Sequence, residues 1–323
     1  MELKIKTTEL VEKNYVLFLL KRYFSATNMD PEAHISSHWK IYGAKLQADH
    51  DVRTGILSLR SSGLPSLKLN IINRILSYLC VFTYFFRLED PLSHFRETIK
   101  AYQLLQEKGY ALTNEVFKQV CAVTLIKKHL KMDIAAKFSI LIIGDGPGIT
   151  SLLLKTAYPN ARIILVDIGK VLLYQSVNMQ LFFPQASHYG VEEGVVDKDR
   201  LEVSDLIYCP AEHYEKIDSV EYTLSVNINS MQEMNMRTVG EYFRYIRKYA
   251  ATDNIFYCLN RVSKKLPCGE MVEFNNYPWD VRDIHIIDGK PVFVNYHFSR
   301  HYPFVHIDKL EKRHRLTKMA LMR

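Results

Sequence analysis

Three glycines spaced two residues apart are the strongest chemical signal in the sequence. Gly144, Gly146 and Gly148 lie in ILIIGDGPGITSLLL, which spans residues 140–154. The first ends an apolar run typical of a buried parallel strand, the second lets a ligand approach the backbone, and the third lets the next helix pack close to the strand. Because the start of that helix offers free N–H groups, the segment predicts a cradle for a polar or anionic ligand.

An acid follows this turn at a spacing that suits a ribose contact. Asp167 lies 23 residues after Gly144, at the end of the apolar run RIILVD. A carboxylate at that point can accept hydrogen bonds from both hydroxyls of a ribose. Asp145, inside the glycine turn, and Ile168, directly after the acid, complete the predicted cofactor-binding set.

The spacing of the glycines distinguishes two kinds of cofactor. A dinucleotide fingerprint reads G-x-G-x-x-G, whereas this turn reads G-D-G-P-G, with Ile149 where the fingerprint needs Gly or Ala. The turn resembles motif I of class I S-adenosylmethionine-dependent methyltransferases, which implies S-adenosylmethionine as cofactor. A nicotinamide-dependent oxidoreductase stays open as the weaker alternative. The class often has an acid two residues before the first glycine; Ile142 stands there, and Asp145 is a candidate substitute.

Two later segments indicate a particular family within this class of methyltransferases. VNINSMQEMN (226–235) and FYCLNRVSKKLPCGEMVEFNNYPWD (256–280), together with GDGPG, are similar to the bacterial sugar O-methyltransferase family over about residues 138–300. This resemblance implies methylation of a hydroxyl on a sugar or a surface-polysaccharide precursor. Methylation of a non-sugar acceptor and a non-catalytic binding protein remain alternatives.

The loops after the fourth and fifth predicted strands of the sheet are expected to contact the acceptor. Ligands of a doubly wound sheet lie beyond the carboxyl ends of its strands. Amides and a guanidinium there can bind hydroxyls or a linked phosphate, and aromatic rings can stack on a pyranose. The predicted substrate-binding residues are Asn229, Gln232, Asn260, Arg261, Tyr277 and Trp279.

A general base is also expected, because a sugar hydroxyl has a high pKa and is a poor nucleophile. Glu233 is the first candidate, with His285 and His297 as alternates. Some sugar methyltransferases use Mg²⁺, and several histidines lie near Asp283. Their spacing matches no standard ligand pattern, so we predict no metal ligand.

The apolar pattern changes near residue 135. Before it, helical spacing dominates, with one helix opened by Asp90-Pro91 and another beginning near Thr113. After it, buried strands alternate with helices, which predicts a Rossmann-like parallel sheet with an antiparallel C-terminal hairpin around Asp288-Gly289. The expected domains are a helical N-terminal cap (1–135), a methyltransferase domain (136–308) and a basic C-terminal tail (309–323).

Composition excludes several classes of protein. The 323 residues are 48% hydrophobic and 24% charged, which suits a globular chain and not a disordered one. Five cysteines without a CxxC pair argue against a disulfide framework and a zinc ribbon, and favour a reducing, cytoplasmic location.

Charge and hydropathy bear on partners. The net charge of +7 divides into +6 for residues 1–135, −4 for 136–308 and +5 for 309–323, so no nucleic-acid partner is expected. The basic C-terminal tail (309–323) is expected to be solvated. The apolar run at 75–86 is too short to span a membrane. It predicts a buried core helix, with an interfacial helix and peripheral membrane contact as the alternative.

Overall fold

Helices and strands alternate along most of the chain in a computed structural model. The structure describes residues 2–24, 36–61, 71–85, 88, 90–293, 296–298, 305–307 and 310–322. The helices are α1 (Lys13–Phe24), α2 (Ser37–Tyr42), α3 (Ile71–Phe85), α4 (Pro91–Glu107), α5 (Asn114–Leu130), α6 (Ile149–Ala157), α7 (Gly169–Phe182), α8 (Lys198–Val203) and α9 (Met236–Lys248). The strands are β1 (Glu2–Lys6), β2 (Leu46–Asp51), β3 (Ile56–Ser61), β4 (Ser139–Ile143), β5 (Arg162–Asp167), β6 (His188–Gly190), β7 (Leu206–Pro210), β8 (Tyr222–Ile228), β9 (Ala250–Arg261), β10 (Ser263–Lys265), β11 (Met271–Glu273), β12 (Ile284–Gly289), β13 (Tyr296–Phe298), β14 (Val305–Ile307) and β15 (Lys312–Lys318).

A large mixed sheet organises the molecule. Its strand order is β12-β15-β9-β8-β4-β5-β7-β6. The strands from β9 to β6 pair in parallel, and β15 runs antiparallel between β9 and β12. The central strands are covered on both faces, so they are continuous apolar runs rather than alternating ones. The predicted Rossmann-like sheet with an antiparallel C-terminal pair is confirmed.

The second member of that antiparallel pair is not the expected one. We expected two strands on either side of Asp288-Gly289, but β12 pairs with residues 312–318. The expectation of a solvated terminus there was wrong. His314 and Leu316 are buried in the sheet, and Arg313 forms two hydrogen bonds with Asp288. Ion pairs with acids neutralise the charge of residues 312–318. That charge is the reason why no strand was expected there.

Helices α4 and α5 begin where their capping residues predict. The Asp90 carboxylate accepts a hydrogen bond from the Ser93 N–H, and the Thr113 hydroxyl accepts one from the Val116 N–H. The N-terminal region is not purely helical, however, since β1, β3 and β2 form an antiparallel sheet. The β2–β3 hairpin lies in a stretch that we expected to hold loops and short helices.

Helix α1 joins the N-terminal region to the large sheet through two aromatic rings. Tyr15 lies over Gly190 and Tyr23 lies over Gly169, where an added Cβ would come within 2.1 and 2.2 Å of the rings. The Tyr15 hydroxyl also donates to the Tyr208 carbonyl at 3.2 Å. The two glycines therefore let α1 approach the sheet domain closely.

Helix α3 was expected to be a buried core helix, and this was wrong for one of its faces. Val81 is buried, but a stripe of apolar residues at helical spacing points to solvent. The exposed apolar residues of α3 are Ile71, Ile72, Ile75, Leu79 and Phe82, and those of α4 are Leu92, Phe95, Ile99 and Tyr102. The two helices meet through the ring pairs Tyr78–Tyr102 and Phe85–Phe95. Within the described segments, no helix has the length and apolar character to cross a membrane.

Candidate functional site

A cavity of about 400 Å³ lies beyond the carboxyl ends of β4, β5 and β7. This is where a doubly wound sheet binds its ligands. Its walls include Ser36, Trp39, Gly144, Asp167, Ile168, Ala211, Glu212, Tyr214, Ser230 and Tyr242. The structure thus brings three of the predicted cofactor residues, Gly144, Asp167 and Ile168, to one cavity, which we call the cofactor cavity.

The glycine turn has a backbone that only glycine adopts without strain. Gly144, Gly146 and Gly148 have φ angles of +70°, +60° and +88°. A Cβ added to Gly144 would lie 1.8 Å from the Ser230 Oγ. The loop after β8 therefore closes directly on the end of β4, and a side chain at residue 144 would displace it.

Asp167 ends β5 with its carboxylate fixed beside the glycine turn. One carboxylate oxygen accepts from the Gly146 N–H at 3.2 Å, and the other accepts from the Ile168 N–H at 2.9 Å. The Ala211 N–H donates to the Asp167 carbonyl, which ties the loop after β7 to the same point. Hydrogen bonds from backbone donors to a carboxylate hold it in one orientation.

Asp145 stabilises the turn instead of facing the cavity, where we expected it to contact a cofactor. Its carboxylate accepts from the Thr150 N–H at 2.9 Å and from both the N–H and the hydroxyl of Ser151 at 2.7 Å. Burial raises the pKa of Asp145, and these hydrogen bonds oppose that rise. The acid thus caps the start of α6 and keeps the glycine turn in shape. Ile142, at the position of the missing acid, is buried within β4.

Glu233 lies in a charged cluster with residues from two other parts of the chain. Its carboxylate is 2.8 Å from the Lys264 Nζ and 3.3 Å from the His38 Nε2. Burial raises the pKa of Glu233, but His38 and Lys264 outweigh it and leave that pKa below its ordinary value. An ionised carboxylate can only accept hydrogen bonds, so the His38 Nε2 donates the hydrogen bond to the Glu233 carboxylate.

A second cavity, more open and of about 650 Å³, adjoins this cluster. Its walls include His38, Trp39, Tyr42, Glu233, Arg261, Lys264 and Lys265. We call it the acceptor cavity. Trp39 also lines the cofactor cavity, so one indole ring of helix α2 forms a wall of both.

Gln232 and Asn260 are occupied by hydrogen bonds inside the protein. The Gln232 side-chain oxygen accepts from the Arg261 N–H at 2.8 Å, and the Asn260 side-chain oxygen accepts from the Gln232 N–H at 3.1 Å. The Asn260 amide also donates to Asn227. Gln232 is 4% exposed and Asn260 is 0% exposed, so our expectation that they contact the acceptor was wrong. They hold the loop after β8 against β9 and so position Glu233 and Arg261.

Asn229 combines a strained backbone with an unsatisfied oxygen. Its φ is +61°, and its buried side-chain oxygen has no hydrogen-bond partner among the described residues. Both features are concentrated at functional sites in native proteins. Contact between Asn229 and the acceptor therefore stays a prediction.

Tyr277 and Trp279 belong to an aromatic cluster, in which Tyr277 is buried and Trp279 is half-buried. Tyr277 is 3% exposed and lies against Phe243. The Trp279 indole N–H donates to the Phe274 carbonyl at 3.3 Å. Rings packed in this way anchor the loop between β11 and β12, contrary to our expectation that they stack on a sugar.

His285 lies too far from the cofactor cavity to act as its base. It is on β12, four strand spacings from β4, which is about 19 Å across the sheet. Its Nδ1 is 2.9 Å from the Thr317 hydroxyl. His297 is on β13, and its side chain lies outside the described residues. In the described part of the chain, no group of three or more His, Cys, Asp and Glu side chains could hold a metal ion.

Sequence analysis missed His38, Trp39, Lys264 and Ser230. His38 and Trp39 belong to a stretch without a clear apolar period, although two aromatic residues in SHWK could have indicated a site. Lys264 lies in the segment 256–280, but no role was predicted for it. Ser230 is a small residue whose contact with Gly144 depends on the sheet, which brings the ends of β4 and β8 together.

Comparison with known proteins gives structural likeness only. No family model and no curated protein sequence matches the chain. Coclaurine N-methyltransferase bound to N-methylheliamine and SAH is 12% identical with a TM-score of 0.41, covering 62% of this chain and 72% of that one. MtNAS in complex with MTA and tNA is 11% identical with a TM-score of 0.37, covering 76% and 71%. The precorrin-6y C5,15-methyltransferase from Geobacter metallireducens GS-15 is 12% identical with a TM-score of 0.35, covering 62% and 89%. Membership of the sugar O-methyltransferase family stays a prediction, and the chemistry of the two cavities has to come from their own residues.

Proposed function

We propose that this chain is an S-adenosylmethionine-dependent O-methyltransferase. The observation that carries the proposal is the meeting of the glycine turn and the Asp167 carboxylate in one cavity that shares a wall with a polar, charged cavity. The turn fits a bound nucleoside, because Gly144 lines the cavity and Asp167 is fixed at the point where a ribose would lie. S-adenosylmethionine would supply a sulfonium methyl group there.

The residues of the acceptor cavity have distinct roles in this proposal. His38 takes the proton from the acceptor hydroxyl, and Glu233 holds the imidazole and stabilises its protonated form, as carboxylates do in other His-based sites. Glu233 is less suited to be the base itself, because its contacts with His38 and Lys264 lower its pKa. Since methyl transfer is an in-line displacement, much of the rate comes from holding the acceptor oxygen in line.

The acceptor in this proposal is a hydroxyl of a sugar or surface-polysaccharide precursor. Trp39 and Tyr42 on α2 line the acceptor cavity, and aromatic side chains pack well on the apolar side of a pyranose. Asn229 and Arg261 provide polar groups near the same loops. The resemblance of the loop motifs to sugar O-methyltransferases supports this choice of acceptor.

Transfer of a labelled methyl group tests the proposal. Purified protein is incubated with methyl-labelled S-adenosylmethionine and panels of sugars, sugar phosphates, nucleotide sugars and small non-sugar alcohols and amines. We expect label in one group of sugar compounds. Label in an amine or a non-sugar metabolite would support methyltransferase activity but refute the sugar acceptor. Absence of transfer to every panel, in a protein that binds the cofactor, would count against the enzyme.

We further propose that the exposed apolar face of α3 and α4 makes peripheral contact with a membrane, in a protein of the cytoplasm. Arg74 and Arg96 lie on the same two helices, as does Lys100, which is paired with Glu97 at 3.1 Å. Apolar stripes accompanied by cations are typical of helices that lie at the surface of anionic bilayers.

A further inference from the structure

The acceptor cavity has more positive than negative charge. Arg261, Lys264 and Lys265 line it, whereas Glu233 is the one carboxylate among its lining residues. Lys264 is paired with Glu233 at 2.8 Å, which leaves Arg261 and Lys265 without a carboxylate there. A neutral sugar would not balance this charge.

Arg261 is the least satisfied of these cations. Its Nε is buried and has no hydrogen-bond partner among the described residues. Burial of an unpaired guanidinium N–H is costly, so the arrangement indicates a missing acceptor. Arg261 also lowers the pKa of the neighbouring Lys264, after the larger effect of burial and against the opposing charge of Glu233. Positive charges are thus close together at this wall.

The position of Arg261 is fixed by the surrounding structure. Its backbone N–H donates to the Gln232 side chain, and the backbone N–H of Gln232 donates in turn to the Asn260 side chain. The residue ends β9, at the carboxyl edge of the sheet where the cofactor cavity also lies. The backbone that carries the guanidinium is thus fixed, and a guanidinium is suited to bidentate recognition of a phosphate.

We propose that Arg261 and Lys265 bind a phosphate group of the acceptor, so that the substrate is a phosphorylated sugar rather than a neutral one. This inference rests on the proposed function. The phosphate binds at the β9 wall, and the sugar ring lies along Trp39 and Tyr42 with its reacting hydroxyl near His38. Binding energy at the phosphate is used to orient the hydroxyl toward the methyl group.

Binding of inorganic phosphate tests the inference without turnover. Calorimetric titration of the whole protein is done for wild type, Arg261→Gln and Arg53→Gln, the last a matched control because Arg53 is exposed in the β2–β3 turn. We expect Arg261→Gln to weaken phosphate binding by about tenfold, which matches the loss of one charge-assisted pair, and Arg53→Gln to leave it unchanged. Lys265→Gln, at an exposed side chain that folding tolerates, should weaken it by a smaller factor.

Two results of the binding experiment would overturn the inference. One is no phosphate binding by the wild type; the other is equal binding by wild type and Arg261→Gln in a variant that melts at the wild-type temperature. A kinetic comparison distinguishes this failure from that of the proposed function. If neutral glucose derivatives are methylated with the same kcat/KM as their phosphates, the phosphate site is refuted and the methyltransferase stands. If S-adenosylmethionine does not bind but phosphate binds through Arg261, the methyltransferase is refuted and the anion site stands.

Discussion

At the scale of single residues, Gly144 and Ser230 lie in close contact at the wall of the cofactor cavity. Gly144 follows β4 and Ser230 follows β8, and no Cβ fits between them. A positive φ at Gly144 adds a second reason for glycine. Substitutions at residues 144 and 230 can therefore separate the steric reason for glycine at residue 144 from the conformational reason.

Gly144→Ala is expected to weaken S-adenosylmethionine binding by at least about tenfold, because the new methyl group displaces the loop after β8. Gly144→Ala combined with Ser230→Gly should recover part of the affinity. The clash is then removed, but alanine at positive φ still costs about 1 kcal/mol. Calorimetry on both variants and on Ser230→Gly alone measures this. Equal affinity for wild type and Gly144→Ala would contradict the close contact.

His38 and Glu233 are expected to act as one unit. His38→Ala should lower kcat by about a hundredfold, the lower end of the usual acid–base contribution, and Glu233→Gln by about tenfold. The double variant should be no slower than His38→Ala, because Glu233 acts through the imidazole. Steady-state kinetics with the labelled cofactor measures all three.

Cofactor affinity is the internal control for that cycle, and it should stay at the wild-type value throughout. Glu273→Gln, at an exposed acid on β11, serves as the matched control and should turn over normally. Multiplicative losses in the double variant, or wild-type turnover by His38→Ala, would remove His38 from the proposed role.

At the scale of secondary-structure elements, β15 shows how a strongly charged segment can form part of the sheet interior. Arg313 and Arg315 pair with Asp288 on β12. Between them, His314 faces the interior at 7% exposure and its Nδ1 lies 3.2 Å from the Tyr257 hydroxyl. Burial lowers the pKa of His314 from 6.5 to about 4, with Asp288 opposing that shift.

The stability of the fold is therefore expected to depend on His314 below neutral pH. Between about pH 6.5 and 4 the unfolded chain binds a proton at this residue and the folded chain does not, so stability falls as pH falls. The full effect is about 3 kcal/mol from the difference in pKa. Urea unfolding of wild type and His314→Gln at pH 7 and pH 4.5 measures it. The variant should lose less stability on acidification, and an identical loss in both proteins would contradict a buried neutral histidine.

The elements show which structures the sequence could predict. Helices α4 and α5 and the glycine turn follow from local chemistry, namely capping side chains and glycine spacing, and they were predicted correctly. Strand β15 could not be predicted in this way, because its charges are neutralised by Asp288, which is distant in the sequence. The roles of Gln232 and Asn260 were missed for a related reason. A polar side chain near a site looks the same in sequence whether it binds a ligand or another loop.

At the scale of the whole molecule, the cofactor cavity, the acceptor cavity and the apolar surface of α3 and α4 each arise from contacts between distant parts of the chain. Helix α2 supplies Trp39 to both cavities, and α1 places the Tyr23 hydroxyl against Glu212, another wall residue of the cofactor cavity. The N-terminal region therefore completes the site, which the sequence indicated only through its position ahead of the sheet.

The exposed face of α3 and α4 is expected to bind anionic vesicles. Sedimentation with phosphatidylcholine vesicles, with and without phosphatidylglycerol, should recover more protein with the anionic ones. Phe82→Ser and Phe95→Ser should reduce the recovered fraction, because each removes apolar area from the face. Val203→Ser, at an exposed apolar residue of α8, is the matched control. Equal recovery of wild type and the two Phe variants would contradict membrane contact through this face.

The central claim is that the cofactor cavity binds S-adenosylmethionine, and calorimetric titration tests it most directly. Purified wild type and Asp167→Ala are titrated with S-adenosylmethionine, S-adenosylhomocysteine and NAD. We predict micromolar binding of the two sulfur ligands by the wild type, no heat from NAD, and binding at least about tenfold weaker in Asp167→Ala, which loses the carboxylate for the ribose hydroxyls. Binding of NAD, or of neither sulfur ligand, would contradict the assignment of the glycine turn and with it the methyltransferase.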